Sequence, residues 1–164
     1  MATSDLHEQL RRLGVSRGLR PARSRPRRRR RPIEALLPGE IVDTRYGPYF
    51  LHRETYQLDH CHGHHALSDL LRHERQSTAN LARDNRLADV EFQRMAFVDT
   101  ETTGLAGGTG TYAFLVGVGV FDAEGFTIHQ FFMRDYAEEP AQLHDLGQLL
   151  DGMGAVVSFN GKGI

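Results

Sequence analysis

The chain has 164 residues, 40% of them hydrophobic, which is enough apolar material for the core of one domain. Its net charge of −1 hides a polarity: residues 1–32 hold eleven Arg against Asp5 and Glu8, net +9, while residues 33–164 hold nine basic and nineteen acidic side chains, net −10. Cys61 is the single cysteine, which excludes an internal disulfide and fits a reducing, cytoplasmic setting, and the longest apolar stretch, 112–121, is about half the ~20 residues a membrane-spanning helix needs.

In chain order, Leu6, Leu10 and Leu13 fall at helical spacing and predict one short amphipathic helix. No apolar signal-peptide core follows Met1, so no targeting segment is expected. From Arg17 to Pro32 the chain is almost only Arg, Pro, Ala, Ser and Gly, a self-repelling composition that predicts disorder. Ile41-Val42 and Tyr49-Phe50-Leu51 flank Tyr46-Gly47-Pro48 and predict a small hairpin without an evident sheet partner. Short helices are predicted over 66–72 and 78–83, with Ser68 and Ser77 as caps. Strands follow over 95–99, 111–121 and 127–133, the last two joined by the turn Asp122-Ala123-Glu124-Gly125. Glu139-Pro140 opens a helix to about Leu150 with Leu143, Leu146, Leu149 and Leu150 on one face, and Ala155 to Phe159 forms a last strand. The expected domains are a basic arm over 1–32, a hairpin and helical lead-in over 33–90, and a main α/β domain over 91–164.

The most informative run is Phe97-Val98-Asp99-Thr100-Glu101-Thr102-Thr103-Gly104. Side chains alternate along a strand, so Asp99 and Glu101 point the same way and form half of a site for a hard cation. The bland reading of such a pair is a solvated strand end. Against it stand Thr102, Thr103 and Gly104, small residues that let a substrate backbone approach. Two-metal phosphodiester cleavage needs several carboxylates around cations ~3.5–4 Å apart, and Asp99 suits the bridging position.

The run from Asp99 to Leu105 resembles the first motif of the DnaQ-like, ribonuclease H-fold 3′-to-5′ exonucleases, whose catalytic set is four acids. The continuation from Ala106 to Gly117, with Glu138-Glu139-Pro140 and Ser158-Phe159-Asn160-Gly161-Lys162 downstream, is similar to the YprB-type branch. The resemblance covers roughly residues 40–164. It implies a mixed α/β sheet of three antiparallel strands, a helix and a parallel strand. It also implies hydrolysis of nucleic acid at a single-stranded DNA or RNA end, with two Mg²⁺ or Mn²⁺, Asp99 and Glu101 as catalytic metal ligands, and Thr102, Thr103 and Gly104 against the terminal nucleotide. In the family a second-motif Asp follows within a few residues of the segment like Asn160-Gly161-Lys162, and a third motif adds an Asp and a Tyr or His base. The sequence ends at Gly163-Ile164 before these, so the expectation is a C-terminally truncated domain, inactive alone.

Other candidates are weaker. Gly104, Gly107, Gly108 and Gly110 lack the Gly-Lys-Ser/Thr of a nucleotide-binding loop and read as a flexible loop beside the acids. His60-Cys61-His62-Gly63-His64-His65 offers zinc-type donors without a second cysteine pair, and reads first as a polar loop packed beside the main domain, with a zinc-binding interaction module as an alternative. His129 and His144 read as ordinary surface residues. Arg27, Arg28, Arg29, Arg30 and Arg31 form a basic run able to bind phosphates without sequence preference, which leaves a non-catalytic nucleic-acid-binding module as the other alternative. The arm has no aromatics to stack on bases.

Overall fold

Strand β1 (Glu40–Thr44) and β2 (Gly47–Tyr56) pair as an antiparallel hairpin through the two-residue link Arg45-Tyr46, where the Thr44 hydroxyl donates to the Gly47 carbonyl at 3.0 Å and accepts from the Tyr46 amide at 3.0 Å. The computed structural model describes residues 31–103 and 111–158. Expectations for residues 1–30, including the Leu6–Leu13 helix and Arg27 to Arg30, lie outside the described residues, as do Gly104, the rest of the glycine loop and Asn160-Gly161-Lys162. Arg31 is exposed.

After a two-strand ribbon, β3 (Cys61–His62) with β4 (His65–Ala66), come helices α1 (Leu67–Leu71) and α2 (Arg75–Ala82). Neither cap is the serine expected. The Asp69 carboxylate accepts the Ala66 amide at the start of α1, and α2 begins after Glu74 with Ser77 inside it. Then follow β5 (Met95–Thr102), β6 (Ala113–Phe121), β7 (Phe126–Phe132), α3 (Glu139–Asp151) and β8 (Ala155–Ser158). One six-stranded sheet results, in the order β1-β2-β7-β6-β5-β8. Strands β5, β6 and β7 are antiparallel neighbours and β8 returns parallel to β5, the mixed α/β arrangement expected. The hairpin's partner, invisible in the sequence, is β7, which pairs along β2 from Phe50↔Phe132 to Tyr56↔Phe126.

Alternation divides the sheet into two faces. Ala96 and Val98 of β5, Val116, Val118 and Val120 of β6, Phe131 of β7 and Tyr49 and Leu51 of β2 point to one side, where Ala141, Leu146, Leu149 and Leu150 of α3 cover them. Each fully buried Val or Leu side chain there contributes ~1.5–3 kcal/mol of transfer free energy. Leu143 is half exposed and stands off this face; Gln142 takes the inward position instead, its side-chain amide donating to the Phe131 carbonyl at 2.8 Å. The helix is also fixed by the Tyr49 hydroxyl, which donates to Asp145 at 2.9 Å. Burial first, and the Asp145 carboxylate second, raise the Tyr49 phenol above its usual range, so it remains a donor.

Two further devices hold the frame. At the β6–β7 turn, Asp122 accepts the Glu124 and Gly125 amides and the Thr127 hydroxyl, and Gly125 has φ +147° where a Cβ would lie 2.2 Å from the Tyr56 carbonyl. Ahead of α3, the buried Glu138 carboxylate accepts the Arg134 amide and guanidinium, and Arg134 also pairs with Glu34. A buried carboxylate held this way depends on its partner, because removing one charge strands the other. No helix among the described residues is long and apolar enough to cross a membrane.

His129 is half-buried on the α3-covered face, directly opposite Arg53, and is not the surface residue expected from sequence. Burial first, then Arg53, lower its pKa below the usual 6.5. The unfolded chain therefore binds this proton more readily than the folded one, and stability falls as pH drops from about 6.5 toward the lowered folded value. In urea titrations between pH 7.5 and 5, the wild-type midpoint is expected to fall further than that of His129→Gln; parallel curves would contradict this role.

Candidate metal and nucleic-acid site

The sequence places the β5 strand end at Asp99, but pairing with β6 carries the strand to Thr102. Both acids therefore sit within a hydrogen-bonded ladder, with Asp99 opposite Gly117 and Glu101 opposite Leu115. The ladder shifts register between Glu101 and Thr102, the kind of irregularity that re-aims side chains near a strand end. Asp99 and Glu101 are exposed, lie on the face away from α3, and line one open hollow of about 420 Å³. Among the described residues neither carboxylate meets a basic partner.

The floor of this hollow escaped the sequence reading. It is built from Phe97, Gly117, Gly119, Ile128 and Gln130. Gly117 and Gly119 alternate with the core valines, and the missing side chain of Gly117 bares the sheet directly opposite Asp99. The two glycines do different work. A Cβ at Gly119 would lie 2.4 Å from the Phe126 ring, which rests across that position, whereas a Cβ at Gly117 would meet only the Asp99 carbonyl at 3.9 Å. The Gly-Val-Gly pattern in 117–119 is a readable signal once β5 and β6 are taken as antiparallel neighbours.

The threonines divide. The Thr103 hydroxyl accepts the Tyr112 amide at 3.1 Å while the Thr103 amide donates to the Tyr112 carbonyl at 2.9 Å, so Thr103 closes the neck of the 104–110 segment. That leaves its hydroxyl proton available to a ligand. Thr102 is exposed and already has an interaction of its own. Gly104 lies outside the described residues.

The histidine run does not gather around a cation position: among the described residues no group of three His, Cys, Asp or Glu is placed to hold a metal. His62 and His65 face each other across β3–β4, Cys61 is exposed, and the His60 ring lies 4.7 Å from that of Tyr56. His144 is on α3, touching Tyr46 edge-on. His129 is on the opposite face of the sheet from the acids.

Residues 96–163, less than half of the chain, match the family model RNase_H_2, described as RNase_H superfamily. No curated protein and no solved structure matches the chain. The matched segment begins on β5 just before Phe97 and takes in both acids, the three antiparallel strands, α3 and β8. The strand order of the same segment, three antiparallel strands, a helix and a parallel strand, is consistent with an RNase H-like fold. The superfamily generally uses divalent metals and acts on nucleic acid.

The glycine floor gives a direct test. Gly117→Val is expected to keep the wild-type urea midpoint, because its side chain enters open space, whereas Gly119→Val is expected to lose ~1–3 kcal/mol by displacing Phe126. Equal destabilisation of the two variants would contradict the geometry of the hollow.

Proposed function

We propose that this chain carries the metal-binding half of an RNase H-like phosphodiesterase site of the 3′-to-5′ exonuclease kind, directed at a single-stranded DNA or RNA end. The observation that carries the reading is the pair Asp99 and Glu101, exposed on one face of β5 over a glycine floor and without a basic partner among the described residues. The match of residues 96–163 to the RNase_H superfamily supports it, and the likeness of the run from Asp99 to Leu105 to the first motif of the DnaQ-like exonucleases supports the exonuclease class.

The donor set suits Mg²⁺ or Mn²⁺: two hard carboxylate oxygens on one side of a strand, two residues and about 6.6 Å apart along the backbone, open to solvent. Asp99 and Glu101 would hold the ion, which when bound would supply Lewis-acid polarisation of a phosphodiester oxygen and acidify a water. The chain's own residues do the rest. Asp99 and Glu101 supply the negative oxygens, Gly117 leaves space for the sugar-phosphate backbone, and the family resemblance assigns contact with the terminal nucleotide to Thr102, Thr103 and Gly104. Arg27 to Arg31 add a salt-dependent hold on phosphates without sequence preference.

Two carboxylates do not complete two octahedral Mg²⁺ sites, so the remaining ligands come from substrate phosphates or other protein oxygens. The chain by itself is accordingly expected to bind metal and nucleic acid without turnover. In Mn²⁺ titrations followed by electron paramagnetic resonance, Asp99→Asn and Glu101→Gln are expected to bind at least about tenfold more weakly than wild type. Unchanged Mn²⁺ binding in both variants would refute the site, and Asp99-dependent cleavage of labelled single strands in Mg²⁺ would refute the lack of turnover.

A further inference from the structure

A second hollow, of about 400 Å³, opens on the same face of the sheet and shares Phe97 and Phe126 with the one beneath the acids. Its floor is Phe97, Phe121 and Phe126, and its walls include His62, His65 and Leu70 of α1. The three rings pack edge-on or tilted, with centroids 4.9 to 6.4 Å apart, so each braces the others. His62 and His65 are direct cross-strand partners of the β3–β4 ribbon, and both line the hollow. Phe97 and Asp99 share a face two residues apart, which sets the aromatic floor about 6.6 Å along the strand from the nearer acid.

We propose that this hollow seats a base of the same single-stranded nucleic acid whose phosphate lies at Asp99 and Glu101, with the base against the phenylalanine cluster and the His62 and His65 imidazoles beside it. The inference rests on the nuclease reading of the acids and extends it from the reacting phosphate to a neighbouring nucleotide. Three observations favour this occupant. The hollow adjoins the acid cleft, with Phe97 and Phe126 lining both, its size is that of small-molecule sites, and its lining joins an apolar aromatic floor to imidazoles that both stack on bases and hydrogen-bond to them. The one carboxylate on its wall is already engaged: Asp69 accepts the Ala66 amide at 3.0 Å and the Arg72 guanidinium at 3.1 Å, so it presents little free charge to repel a phosphate. The arrangement also gives the histidine run a role that needs no metal.

The test uses the full chain, Mg²⁺, and fluorescence anisotropy with labelled oligothymidylate in 0.2 M salt, which weakens phosphate contacts by the arm. A matched oligonucleotide carries abasic sites through its last few 3′ nucleotides. Wild type is expected to prefer the intact strand by about tenfold. Leu70→Trp, which fills the hollow, and the exposed double variant His62→Ala/His65→Ala are each expected to erase that preference while keeping the binding that Asp99→Asn loses. Equal affinity of wild type for the two strands, or a preference untouched in both variants, would overturn the inference and assign the hollow to another occupant, such as a protein segment. A preference that depends on the hollow but not on Asp99 would instead overturn the nuclease reading and leave base binding in place.

Discussion

Alternation along β6 is the constraint on which the rest depends. Val116, Val118 and Val120 face α3 and fill the core, while Gly117 and Gly119, interleaved with them, face away, Gly117 leaving the sheet bare and Gly119 receiving the Phe126 ring. Because the side-chain period of a strand is two, a one-residue slip of β5 against β6, with β6 held in place by β7, would turn Asp99 and Glu101 to the face of those valines, beneath the helix. Burying two carboxylates in that apolar layer would cost several kcal/mol each, so the hydrophobic core itself enforces the register that holds the acids in the open. Stability and site geometry are two consequences of one pairing.

The two faces also divide the titratable groups. On the helix side, Tyr49 is tied to Asp145 and His129 is kept short of protons by burial and Arg53, so charge there is suppressed or spent on structure. On the open side, Asp99 and Glu101 stand exposed, Asp99 opposite Gly117 and Glu101 opposite Leu115, with Phe97 and Phe126 lining the same hollow. Glu138, which the family resemblance brings to notice, belongs to neither: its carboxylate is buried on Arg134 and joins the start of α3 to the end of β7 and, through Glu34, to the short 3₁₀ turn at 33–35.

Much of this was legible in the sequence, for identifiable reasons. The order of β5, β6, β7, α3 and β8 follows from local patterns: apolar runs, the Asp-Ala-Glu-Gly turn and Pro140 in the first helical turn. The acids were legible because period-two spacing needs no tertiary information. The features missed depend on contacts far apart in the chain. The β1–β2 hairpin finds its partner about eighty residues later in β7, Gln142 rather than Leu143 turns inward on α3 because it bonds the Phe131 carbonyl, and His129 is half-buried opposite Arg53 of a strand far away in the chain. The hollow beside His62 and His65 needed the lead-in segment to fold back over Phe97 and Phe126, which no periodicity encodes.

The central claim is that the carboxylates at positions 99 and 101 jointly hold a divalent cation above the glycine floor. Crystals soaked in Mn²⁺, with data collected at a wavelength where manganese scatters anomalously, address it most directly. The account predicts an anomalous peak within ~2.0–2.6 Å of oxygens from both Asp99 and Glu101, on the side of the sheet away from α3. A peak confined to the histidine ribbon, or none beside β5 at saturating Mn²⁺, would contradict it.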